Sequence, residues 1–139
     1  MRVVLDTNVL VSALLVESSP PAHLITHWRQ GRFTLLTAAP QLDELIRVTR
    51  YPNLPTRLKP AQAARLVNDL REIAEVVETL PTVDASPDPY DNDLLSMGAG
   101  GAADYLVTGD KPHLLALGRY AGIKISSVRD FMTLAGLSP

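Results

Sequence analysis

Arg2-Val3-Val4-Leu5-Asp6-Thr7-Asn8 opens the chain with a short apolar run that stops on a carboxylate. A run this short and this apolar is the pattern of a strand covered on both faces, as strands of parallel sheets are. Asp6, Thr7 and Asn8 all favour helix starts, so a helix is predicted directly after the strand. Leu10, Ala13 and Leu14 would form its apolar face. The same order returns late in the chain. Tyr105-Leu106-Val107-Thr108 reads as a strand, Gly109-Asp110 as its turn, and residues 113–117 as the next helix.

Between these two units the pattern keeps alternating. Ser18-Ser19-Pro20-Pro21 interrupts, and a helix is predicted over 22–30 with Gly31 as its stop. Residues 33–37 read as a strand. Pro40 opens a third helix lined by Leu42, Leu45, Ile46 and Val48, and Pro60 opens a fourth lined by Ala64, Leu66, Val67, Leu70 and Ile73. Residues 75–78 read either as a third strand or as the end of that helix. A polar Pro/Asp loop over 82–92 leads to a helix over 92–99. A last strand over 123–125 and a helix over 128–134 follow, with Gly136 as the stop. Strands alternating with helices predict an α/β domain with a mainly parallel sheet.

The chain has 139 residues, the size of one domain. It has no cysteine, which excludes disulfides and thiolate metal sites and fits a reducing cytoplasm. Asp6 and Asn8 break the N-terminal apolar run, so it does not read as a secretory signal. No stretch approaches the ~20 apolar residues of a membrane span. A net charge of −2 excludes bulk-charge binding of nucleic acid, though not a local basic patch.

The positions of the acids carry the functional reading. Asp6 and Asp110 each follow a strand, and ligands of open parallel sheets bind at those carboxyl ends. Glu44 lies in the first turns of the third helix. Asp88, Asp91 and Asp93 crowd the entry to the helix after the long loop. Converging carboxylates repel unless pKa values rise or a cation binds. An all-oxygen site suits Mg²⁺ or Mn²⁺, which activate water and hold phosphate oxygens. Phosphodiester or phosphoryl chemistry follows.

Val3-Val4-Leu5-Asp6-Thr7-Asn8-Val9-Leu10, Gln41-Leu42-Asp43-Glu44-Leu45, the segment from Asp88 to Leu95, and Ala103-Asp104 through Gly109-Asp110 together resemble the PIN-domain family, in order and over essentially the whole chain. The resemblance implies a three-layer α/β/α sandwich and a Mg²⁺- or Mn²⁺-dependent endoribonuclease. It extends to the VapC-like toxins, and so to a small antitoxin partner and a homodimer. Carried over residue by residue, the acidic site is Asp6, Glu44, Asp91 and Asp110, with Asp6, Asp91 and Asp110 as metal ligands. Thr108 and Asn8 would support a carboxylate or water. Where family members often show consecutive acids, this chain has Tyr90-Asp91-Asn92-Asp93, so Asp93 or Asp88 compete with Asp91 as the third acid. Gly98-Ala99-Gly100-Gly101 is richer in glycine than the usual helix, which would loosen that side of the site.

Arg47, Arg50 and Lys111 are the candidates for contact with RNA backbone, and Tyr51 for stacking on a base. His23 and His27, four apart, read as surface or interface residues. Two other readings stay open. An aspartyl-nucleophile phosphatase would also begin with a strand and Asp6, but such enzymes usually carry a second Asp where Asn8 stands. A binding module without catalysis would keep the fold alone.

Overall fold

The computed structural model describes residues 1–50, 58–109 and 111–138. Asp110 and Tyr51, both named from the sequence, lie outside the described residues. The chain runs β1 (Arg2–Leu5), α1 (Thr7–Leu15), α2 (Pro20–Arg29), β2 (Thr34–Thr37), α3 (Ala39–Thr49), α4 (Pro60–Glu72), β3 (Glu75–Val76), α5 (Pro89–Gly100), β4 (Tyr105–Thr108), α6 (Pro112–Leu117), β5 (Arg119–Tyr120), β6 (Ile123–Ser127) and α7 (Val128–Ala135).

The strands form one sheet in the order β3-β2-β1-β4-β6-β5, parallel except for β5. Alternation along each strand sends its side chains to two covered faces. Val3, Leu5, Leu35 and Val107 meet α1, α2, α3, α4 and α7 on one face. Val4, Leu36, Leu106 and Ile125 meet α5 and α6 on the other. The molecule is therefore a three-layer α/β/α sandwich. Phe131 of α7 closes the first core edge-on to Phe33 and Tyr105, at 5.7 and 5.3 Å between ring centres.

Strand order sets the position of the crevice. From β1 the chain builds outward through β2 and β3, then returns to add β4 and β6 on the other side. The order reverses between β1 and β4, and crevices of doubly wound sheets open at that point, above the carboxyl ends of the strands.

Several elements differ from expectation. The prolines at 20 and 21 begin α2 rather than interrupt the chain, because a first-turn proline lacks only an N–H that would go unused. Ser19 caps that helix by accepting from the Ala22 N–H. For the same reason α5 begins at Pro89, three residues before the predicted start, with Asp88 accepting from the Tyr90 N–H at 2.9 Å. β5 was not anticipated. It forms a two-residue hairpin with β6 through Ala121 and Gly122, both at positive φ.

The glycines of α5 tighten the structure instead of loosening it. A Cβ on Gly100 would stand 2.1 Å from the Thr79 carbonyl oxygen. One on Gly101 would stand 2.8 Å from Leu36 and Val77. His27, expected at the surface, is buried between Arg32 and the chain's C-terminal segment, with Nε2 2.7 Å from the Ser138 carbonyl oxygen.

Candidate active site

The end of β1 places Asp6 at the β1/β4 reversal. Asp6 is 3% exposed, and its backbone N–H donates to the Val107 carbonyl at 2.8 Å. Its side chain has two partners. Oδ1 caps α1 by accepting from the Asn8 N–H at 3.0 Å, and Oδ2 accepts from the fully buried Thr108 hydroxyl at 2.9 Å. Capping and site geometry are thus properties of one carboxylate. Thr108 ties the ends of β1 and β4 together across the crevice, two residues before Asp110. The Asn8 side chain is exposed and lines the crevice.

The start of α3 is fixed by Gln41, a residue that sequence reasoning passed over. Its Oε1 accepts from the Thr37 hydroxyl at 2.8 Å, and its Nε2 donates to the Leu5 carbonyl at 2.7 Å. All of these groups are buried. Gln41 therefore locks α3 to the ends of both β1 and β2, and Glu44 follows one turn later on the same face. The Gln41–Glu44 spacing was the available signal. Glu44 is not a free base here. Its Oε2 pairs with Arg47 and accepts from the Tyr90 hydroxyl at 3.4 Å. Glu44 in turn raises the already high pKa of Arg47, chiefly through that hydrogen bond.

The loop before α5 positions the remaining acids. Asn92 braces it, accepting from the Ala85 and Ser86 N–H groups and donating to the Ser86 carbonyl. The braced Ser86 hydroxyl donates to Asp91 Oδ2 at 2.8 Å. Asp91 is 1% exposed, and its Oδ1 is buried without a hydrogen-bond partner. The nearest cation is Lys111, whose Nζ lies 3.8 Å from that oxygen and 3.6 Å from Asp88. The three acids of this segment thus separate. Asp88 caps the helix, Asp93 is exposed along the crevice wall, and Asp91 is held inside with one oxygen that accepts no hydrogen bond.

Asp6, Asn8, Gln41, Glu44, Tyr90, Asp93 and Lys111 line one pocket of about 190 Å³. Of the basic candidates, Lys111 is in its wall and Arg47 reaches Tyr90 beside it. Arg50 instead lines a separate groove with Ile46, Ala63 and Arg71.

This arrangement has relatives. A family model described as PIN domain matches residues 2–112, most of the chain and every acid discussed above. The chain belongs to the PIN-domain family. No curated protein matches it. PIN domains are a nuclease-type family whose members typically bind divalent metals. In this PIN domain the donor chemistry fits such an ion, because it is wholly oxygen and includes Asp91 Oδ1, which accepts no hydrogen bond. Among the described residues no three His, Asp or Glu side chains gather around a common point. No single helix among them is long and apolar enough to cross a membrane.

Proposed function

We propose that this PIN domain is a Mg²⁺- or Mn²⁺-dependent endoribonuclease acting in the β1/β4 crevice. The supporting observation is Asp91 Oδ1. Burial of a carboxylate oxygen with no hydrogen-bond partner is costly. A cation closer to that oxygen than Lys111, which stands 3.8 Å away, would remove the cost, and that is a reason to retain the group.

Asp6, Asp91 and Asp110 are the proposed ligands, and Asp93 is an outer acid on the crevice wall. When bound, the metal would lower the pKa of a water and hold phosphate oxygens. The chain's own residues do the rest. Thr108 and the Asn8 N–H fix the Asp6 carboxylate, Ser86 fixes Asp91, and Gln41 holds the helix that carries Glu44. Glu44 Oε2 is held by Arg47 and Tyr90, so a proton from an attacking water would pass to Oε1, and a phosphate arriving at Arg47 would release Oε2 as well. Lys111 would exchange its carboxylate partners for phosphate in the same way.

A toxin role with a small antitoxin, a homodimer and a cytoplasmic setting are part of this proposal, resting on the resemblance to VapC-like toxins. The test is cleavage of single-stranded RNA by the purified protein with Mn²⁺ or Mg²⁺. Cleavage abolished by EDTA, and by Asp6→Asn or Asp91→Asn in variants that melt normally, is the expected result. A folded protein that cuts no RNA with either metal overturns it.

A further inference from the structure

Among the described residues, the exposed large apolar side chains include a single aromatic, Tyr90, which is 50% exposed. It stands in the first turn of α5, on the rim of the pocket that holds Asp6. A half-exposed ring is ordinarily free to turn, but this one is held from two sides. Its hydroxyl accepts from Arg47 at 3.1 Å and donates to Glu44 at 3.4 Å. Lys111 Nζ stands 5.9 Å from the ring centre, within cation–π range.

The consequence is an aromatic ring tethered at its hydroxyl by Arg47 and Glu44, with Lys111 over one face and the other face left for a ligand, beside the acids. Nothing in the packing of the cores requires it, since neither includes Tyr90. A flat π surface flanked by positive charge matches an unpaired nucleotide, whose base stacks while the neighbouring phosphates meet the cations. A base inside a duplex is already stacked and paired, so it cannot use the platform without being extruded.

We propose that Tyr90 is a substrate-positioning residue that stacks on an unpaired base next to the scissile phosphate. This rests on the nuclease reading above. Holding the ring in advance lowers the ordering cost of binding, so the full stacking energy reaches affinity.

The experiment compares wild type, Tyr90→Phe and Tyr90→Leu on a short single-stranded oligoribonucleotide, on the same sequence in a duplex, and on a base-free ribose-phosphate strand. KM and kcat are measured with Mn²⁺, and binding by fluorescence anisotropy in EDTA. For the single strand, Tyr90→Leu is expected to raise KM and Kd about tenfold to a hundredfold, as loss of one stacked base does, with a smaller change in kcat. Tyr90→Phe should keep most of the affinity, because it keeps the ring. On the base-free strand wild type and Tyr90→Leu should bind alike, which a role in folding or charge placement would not produce. If wild type cuts single-stranded RNA while Tyr90→Leu keeps its KM and Kd, the stacking role is overturned and the nuclease reading stands. If wild type neither cuts nor binds single-stranded RNA, both fall.

Discussion

Thr108→Val isolates the bond that joins the two strand ends beneath the crevice. Valine keeps the shape of threonine and its preference for strands, so it opens no cavity. It removes the hydroxyl that donates to Asp6 Oδ2 at 2.9 Å, between side chains 0% and 3% exposed. A hydrogen bond to a charged group contributes about 1.5–3 kcal/mol, and the valine methyl would stand where the buried hydroxyl donor stood. At about 4 °C per kcal/mol for a domain of this size, the melting temperature should fall about 6–12 °C. The assay is thermal and urea unfolding in EDTA, for wild type, Thr108→Val, Asp6→Ala and the double variant. In the Asp6→Ala background, Thr108→Val should cost little, because its partner is gone. A loss below about 0.5 kcal/mol, or an equal loss in both backgrounds, would refute the reasoning.

Gln41→Leu leaves the Thr37 hydroxyl and the Leu5 carbonyl buried without partners. Each orphan costs about 1–3 kcal/mol, so a fall in the urea midpoint with reduced RNA cleavage is expected. Gly100→Ala should destabilise by about 1–3 kcal/mol or more, because the new Cβ meets the Thr79 backbone oxygen rather than a movable side chain. A normal melting temperature would show that α5 can shift at no cost. Glu75 pairs with Arg2 at the far end of the sheet, and that hydrogen bond lowers its pKa from 4.5. Its contribution is therefore complete above the unfolded value and is lost as pH falls through the lower folded one. Glu75→Gln should be slightly less stable than wild type at pH 7, with the difference shrinking as pH falls below 4.5 and vanishing once it is below the lowered folded pKa. A difference that persists in acid would contradict this.

Most of the fold was legible because its strands are short apolar runs bounded by polar residues, and its helices carry caps and prolines. Val3-Val4-Leu5 and Leu106-Val107 needed no further information to be placed on both-face-buried strands. Misreadings came where one residue type serves two purposes. Pro20 and Pro89 break a helix or begin one, and the capping Ser19 and Asp88 decide between them. The glycines of α5 give freedom or allow close approach, and only the Thr79 carbonyl across from Gly100 shows which. His27 is buried because Ser138, far along the chain, supplies its partner. Within the candidate site Asp6 was legible from its place after β1, whereas Glu44 and Asp91 were singled out through the resemblance to the PIN-domain family. Gln41, Ser86 and Asn92 were not, because their partners belong to other elements. Asp91, Asp93 and Asp88 became distinguishable only through burial and hydrogen bonding. Tyr90 was quoted for its neighbours, and its own exposure was invisible until α3 was placed beside it.

The nuclease reading depends on whether the Asp6–Asp91 region binds a divalent ion. Mn²⁺ titrated into EDTA-stripped, dialysed protein and followed by electron paramagnetic resonance measures this without turnover. Saturable loss of the free Mn²⁺ signal in wild type, strongly weakened in a folded Asp91→Asn variant, is the predicted result. Wild type that leaves the free Mn²⁺ signal unchanged, or an Asp91→Asn variant that binds as tightly as wild type, would contradict it.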